Sequence, residues 1–298
     1  MFIRRLPKFE YHIPLTIAEA LNQISQYGEK GKVFAGGTDL LVSMKKREVV
    51  PEHLINLKDV GELKGIKYDK AEGITIGALT TIGDIERSDI VRGKFRPLWD
   101  AVKVMAAPQV RNLGTIGGNL CSAVPSADTA PPLIALGASL KLTGIDKERK
   151  VPVEDFFKGP GESVLKPDEI LTEIFIPNLP EKSGGAYIKM MRRNAMDLAL
   201  VGVAVYMRLD EKGKACKDAR IALGAVAPTP IRAPGAERTL INKNVDENLA
   251  EEAGKIASQE ASPISDIRAS KEYRREMVRV LTKRAVMTAC KRINETAE

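Results

Sequence analysis

Apolar residues recur at helical spacing in LTIAEALNQISQYG, where Ala20, Leu21, Ile24 and Tyr27 share one face. Thr16 and Glu19 form a T-x-x-E capping box ahead of that face, and Gly28 follows it as a stop. The pattern predicts a helix. A short apolar strand follows at Val33 to Ala35, then Gly36-Gly37-Thr38, a helix from Asp39 to about Arg47, and a strand from His53 to Leu57. Strand, helix and strand in so short a length imply parallel pairing with a right-handed crossover.

From Gly65 the texture changes. Short strands at Gly73 to Ala78, Ser139 to Thr143 and Glu169 to Ile176 alternate with helices at Ile82 to Glu86, Phe95 to Ala106 and about Thr129 to Leu136. This predicts a second α+β unit wrapped on the first. PNLPEKSGG, residues 177–185, is rich in turn-forming and polar residues and marks a boundary. Beyond it come strands near Ala186 to Met191, Leu198 to Leu209 and Ala219 to Val226. Helices follow near Ala233 to Ile241, Asp246 to Gln259 and Lys271 to Arg292, giving a small α+β C-terminal unit. LALVGVAVYM within the second of these strands also reads as a buried helix.

Composition narrows the function classes. The 298 residues suffice for two or three packed units, and 44 % hydrophobic content supplies their cores. No apolar run is long enough for a membrane span, and MFIRRLPKFEYHIP lacks the apolar region of a signal peptide, so a cytoplasmic location is expected. Three cysteines without CxxC spacing disfavour a disulfide framework or a four-cysteine cluster. Two histidines, His12 and His53, give poor support to a catalytic zinc site or a Ser-His-Asp triad. The net charge of +7 is concentrated in KEYRREMVRVLTKRAVMTACKR, read as an amphipathic helix with a solvated basic face. No aromatic stacking platform or recognition motif accompanies it, which argues against nucleic acid as a partner.

Two glycine-rich stretches carry candidate chemistry. In KVFAGGTDLL a strand ends, two glycines turn the chain and a helix begins, leaving backbone N–H groups for an anion such as phosphate. Asp39 would repel a phosphate directly over it, so it is expected to cap amides or point aside, leaving the Gly36-Gly37 backbone to bind. The alternative is an ordinary strand-to-helix turn with Thr38 as N-cap. In RNLGTIGGNLCSAVPSAD, Gly114, Gly117, Gly118 and Asn119 tolerate positive φ and are expected to form a concave anion nest. The alternative is a glycine-rich loop with no ligand. The motif is neither a Walker A loop nor a G-x-G-x-x-G fingerprint. Together the two stretches suit the adjacent phosphates of a dinucleotide. Asp128 either caps the following helix or hydrogen-bonds the ligand.

AGGTDLL followed at this distance by RNLGTIGGNLCSAVPSAD resembles the FAD-binding subunit of molybdenum hydroxylases, a family that includes xanthine dehydrogenase, carbon monoxide dehydrogenase and hydroxybenzoyl-CoA reductase. FEYHIP, INLKDVGELKGI and LGAVAPTPIRAPGAE extend the resemblance over nearly the whole chain, and RRNAMDLA and RASKEYRREM lean toward the xanthine dehydrogenase branch. It implies an α+β, p-cresol-methylhydroxylase-like FAD-binding domain over residues 1–177, with lobes at about 1–60 and 61–177. A C-terminal flavoprotein cap domain over 178–298, an antiparallel sheet plus helices, would follow. By motif, Lys32, Val33, Phe34, Ala35, Gly36, Gly37, Thr38 and Asp39 would grip the FAD pyrophosphate together with Thr115, Ile116, Gly117, Gly118 and Asn119. Asp128 would hydrogen-bond the cofactor, Ile170 or Leu171 would pack on it, and Lys189 would lie near the flavin. Asp197 and Leu198 match a segment near the ring. For Lys189 the plain alternative is a surface lysine at a strand edge; for Ile170 and Leu171 it is ordinary core.

The resemblance further implies a subunit of a larger enzyme. Substrate would be hydroxylated at molybdopterin in a large partner, and electrons would pass through [2Fe–2S] clusters in a small partner to non-covalent FAD, then to NAD⁺ or another acceptor. No four-cysteine insertion exists, which disfavours the hydroxybenzoyl-CoA reductase type. Cys121 reads as a small buried filler rather than a redox thiol. No side chain is expected to act as nucleophile or general base. A self-sufficient FAD-dependent oxidoreductase of the same fold is the runner-up, and a non-enzymatic anion- or nucleic-acid-binding protein is a third reading.

Overall fold

A computed structural model describes residues 5–295. The first lobe holds a parallel sheet of β1 (Glu10–His12), β2 (Gly31–Phe34) and β3 (His53–Asn56), in the order β1-β3-β2. Helices α1 (Ile17–Tyr27) and α2 (Leu40–Lys46) make the crossovers. The capping box forms: Thr16 Oγ1 accepts the Glu19 amide at 3.2 Å, and the Glu19 carboxylate accepts the Leu15 amide at 2.8 Å. Ala20, Leu21 and Ile24 are buried against Ile55 and Leu57 on one side of the sheet, while Phe34, Met44 and Leu54 cluster on the other.

The second lobe is built on an antiparallel sheet of order β4-β5-β10-β6-β7. Its strands are β4 (Ile66–Asp69), β5 (Gly73–Gly77), β6 (Ser139–Thr143), β7 (Glu148–Pro152) and β10 (Ile170–Pro177). A small hairpin of β8 (Phe157–Gly159) and β9 (Glu162–Ser163) precedes β10. Six short helices lie between β5 and β6: α3 (Ile82–Arg87), α4 (Asp89–Lys94), α5 (Arg96–Val104), α6 (Pro108–Arg111), α7 (Ile116–Cys121) and α8 (Ala130–Ala135). Ile74, Ile76, Leu98, Leu133, Leu140 and Ile174 anchor the lobe's core.

The C-terminal unit pairs β11 (Ser183–Met190), β12 (Val201–Leu209), β13 (Cys216–Gly224) and β14 (Ile231–Arg232) as an antiparallel meander. Helices α9 (Pro234–Leu240), α10 (Glu247–Glu260) and α11 (Lys271–Glu295) cover it. Along β12, Val201, Val203, Val205 and Met207 face the core shared with these helices, whereas Ala204 and Tyr206 join the core of the second lobe. A strand buried on both faces loses its polar alternation, which is why LALVGVAVYM also read as a helix. The expected solvated basic face on α11 holds for the exposed Lys271, Arg275, Arg284 and Lys291, and is corrected for the remainder. Arg279 pairs with Glu251 and Glu276, Lys283 lies 3.5 Å from Glu247, and buried Arg274 lies 3.1 Å from Asp266. Acids on α10 and the preceding loop neutralise much of that charge. Among the described residues, no helix is long and apolar enough to cross a membrane.

Candidate functional site

The two glycine-rich turns abut. A Cβ added at Gly36 would lie inside the Leu113 carbonyl oxygen and 2.8 Å from Gly114 Cα. One added at Gly114 would touch Thr38 Oγ1 at 3.6 Å, and one at Gly118 would touch Ala35 Cβ at 3.9 Å. Gly37 turns the chain at φ 77°, over the Phe34 ring. Asp39 occupies the N-cap position of α2 but bonds no amide there. Its Oδ2 instead accepts from Ser122 Oγ at 3.0 Å, across the gap between the turns. Thr38 is therefore not the N-cap, and Asp39 points aside.

The amides of the two turns differ. Among the described residues, those of Gly36, Gly37, Thr38 and Asp39 make no hydrogen bond. The second turn is spent on itself and on β5's end: Ile116 N–H donates to Thr80 O, Gly117 to Ala78 O, Gly118 to Thr115 Oγ1 and Asn119 to Thr115 O. Here the structure corrects the expected nest. Thr115 caps α7, and Gly114, Gly117 and Gly118 do not adopt positive φ. Gly117 is required by proximity, since its Cβ would sit 2.7 Å from Ala78. This wall offers side chains instead: the Thr115 hydroxyl proton and the Asn119 amide, whose Oδ1 is held by Thr129 Oγ1 at 2.6 Å.

Next in sequence to Thr129, Asp128 is buried, and it does not cap α8. Tyr187 donates to its Oδ1 and Lys189 to its Oδ2, each at 2.8 Å. Lys189 is 1 % exposed, which rules out a surface lysine. Burial raises the Asp128 carboxyl above its ordinary range against the opposing pull of Lys189 and Tyr187, and burial beside Asp128 raises the Tyr187 phenol. Tyr187 was missed in the sequence. Its signal is the i, i+2 spacing to Lys189, which puts both on one face of β11.

Ile170 is buried in the cluster that Val33 and Ala35 also contact, joining the first lobe to β10. Leu171 lies in the second lobe's core, before a register shift on β10. Lys32 is exposed. The segment after β11 leaves Met196 and Leu198 each 54 % exposed, and Asp197 Oδ2 accepts the Arg192 and Arg193 amides at 2.8 and 2.9 Å. Cys121 is half-buried against the second lobe's core rather than fully buried, and burial of its thiol pushes it up to about 12.

A half-buried turn with unpaired amides, packed against a second glycine-rich segment, fits the anionic diphosphate of a nucleotide cofactor. These features define a nucleotide-cofactor protein of α+β architecture. Residues 7–179 match the family model described as FAD binding domain in molybdopterin dehydrogenase, and residues 186–289 match CO dehydrogenase flavoprotein C-terminal domain. The chain is 37 % identical to the carbon monoxide dehydrogenase medium chain of Hydrogenophaga pseudoflava, over 95 % of this chain and 97 % of that one. It is 34 % identical to the xanthine dehydrogenase FAD-binding subunit of Escherichia coli O157:H7, over 94 % and 95 %. A solved carbon monoxide dehydrogenase structure from Hydrogenophaga pseudoflava superposes with a TM-score of 0.92 over 97 % of this chain and 99 % of that chain. Quinoline 2-oxidoreductase from Pseudomonas putida 86, at 29 % identity, gives 0.90 over 97 % and 99 %. The chain belongs to the FAD-binding subunits of the molybdopterin dehydrogenase family: an oxidoreductase subunit with a two-lobed FAD-binding fold and a C-terminal α+β unit.

Proposed function

We propose that this chain is the electron-transfer subunit of a multi-subunit molybdenum hydroxylase. It would take electrons from [2Fe–2S] clusters of a small partner, fed by a molybdopterin-binding large partner, and pass them to NAD⁺ or another acceptor. The carrying observation is the set of unpaired amides from Gly36 to Asp39 in a turn packed against the Leu113–Gly118 segment. Bound FAD supplies the coupling between one-electron and two-electron steps.

In this reading residues 1–177 form the cofactor domain and 178–298 the cap. The first turn's amides, with Lys32 to Ala35 leading into it, and the Thr115 to Asn119 segment would hold the pyrophosphate. The Asp128–Lys189 pair would bind the flavin end, and Ile170 or Leu171 would pack on the cofactor. No histidine lies beside either turn in sequence, and in this reading the flavin is held non-covalently. The test is to purify the chain with and without co-expressed cysteine-rich and molybdopterin-type partners. Flavin should be released by denaturation, and NADH should reduce an artificial acceptor. Protein that folds yet binds no FAD overturns the reading; flavin bound without partner association overturns the subunit role.

A further inference from the structure

Both histidines of the chain, far apart in sequence, meet on one face of the first lobe's sheet. Parallel pairing sets Glu10 directly opposite His53, and His12 stands two residues along β1 on the same face as Glu10. His12 Nε2 lies 3.1 Å from His53 Nδ1. Glu10 Oε2 lies 3.3 Å from His53 Nδ1 and 4.0 Å from His12 Nε2. Among the described residues, these three form the one group of His, Cys, Asp and Glu side chains close enough to share an ion.

We propose that Glu10, His12 and His53 form a divalent transition-metal site of the Zn²⁺ or Cu²⁺ class. Three ligand atoms with these separations leave a point about 2 Å from each, the bond length such ions take with imidazole and carboxylate. Two imidazoles and one carboxylate suit Zn²⁺ and Cu²⁺ better than Mg²⁺ or Ca²⁺. The Tyr27 ring stacks on His53 at 4.0 Å and on His12 at 4.6 Å, holding both imidazoles. Its hydroxyl, 3.5 Å from His12 Nδ1, can accept the proton there and leave Nε2 free to ligate. The imidazoles are mostly buried and the carboxylate is 74 % exposed, so the ion has a way in.

Glu10 and His53 open β1 and β3, level with Gly31 at the start of β2, and His12 closes the three-residue β1. The glycine turn follows the C-terminal end of β2, about 10 Å along that strand from Gly31. A bound ion would thus clamp edge strand β1 to β3 without entering the cofactor site, and the proposal stands apart from the FAD reading.

The experiment is calorimetric titration of the full chain with Zn²⁺, paired with electron paramagnetic resonance of the chain loaded with Cu²⁺. One Zn²⁺ per chain is expected, with a higher Tm, and the Cu²⁺ signal should show two nitrogen donors. Glu10→Gln, at an exposed position, should fold normally and weaken binding about tenfold or more. His53→Ala should lose one nitrogen donor and the Tm rise. No saturable binding, or equal binding by the wild type and Glu10→Gln, overturns the site; a spectrum lacking nitrogen donors does the same.

Discussion

Gly36 rests so close to the Leu113 carbonyl that no side chain fits between them. That contact holds the first turn, with its free amides, against the second. Gly36→Ala must push the turns apart, at about 1–3 kcal/mol for overpacking. FAD affinity is expected to fall by about tenfold or more, read from flavin fluorescence on titration of the apoprotein. An unchanged affinity would show that the seam between the turns does not shape the cofactor site.

Lys189 and Asp128 should behave as one unit. Lys189→Met leaves a buried carboxylate with a single donor, a loss of about 3–5 kcal/mol. Adding Asp128→Asn removes the stranded charge and should restore part of the stability in chemical denaturation. Tyr187→Phe should cost about 1–3 kcal/mol, because it strips the donor from Asp128 Oδ1. A double variant no better than Lys189→Met would refute the coupling.

The entry to β10 should be acid-sensitive. The Arg149 guanidinium and the Lys166 amide hold the Glu169 carboxyl below its ordinary 4.5, although burial opposes them. The unfolded chain therefore binds this proton first as pH falls. The stabilisation is complete above about pH 4.5 and disappears as pH drops through the lowered value. Between pH 5 and pH 3 the wild type should lose more Tm than Glu169→Gln. Equal losses would contradict this assignment.

Cys121 should be chemically quiet. With its thiol raised to about 12, almost no thiolate exists near neutrality, and iodoacetamide should label it far more slowly in the folded chain than in the unfolded chain. Cys121→Ala should retain flavin and electron transfer. Rapid labelling at Cys121, read by peptide mass spectrometry, would reopen a redox role.

Local pattern was enough for most elements. The T-x-x-E box specified the start of α1, and the strand-glycine-helix order specified the β2–α2 turn. The motif pair carried the family, and the matches over residues 7–179 and 186–289 agree with it. What misled was glycine itself. Gly117 looks the same in sequence whether it supplies positive φ or makes room for Ala78. Likewise Arg274, Arg279 and Lys283 of α11 looked free because acids that meet them lie on α10 and the preceding loop.

By itself, then, the sequence marked most of the elements and their order, since capping and periodicity act over a few residues, and its paired motifs pointed to the cofactor by resemblance to a known family. Tertiary structure alone decided which amides stay unpaired, that Asp39 turns to Ser122, that Asp128 is gripped by Tyr187 and Lys189, and that His12 meets His53. Those outcomes depend on strand register and on groups brought together across long stretches of chain. The energies that fix them come from burial and close packing, which have no counterpart in the extended chain.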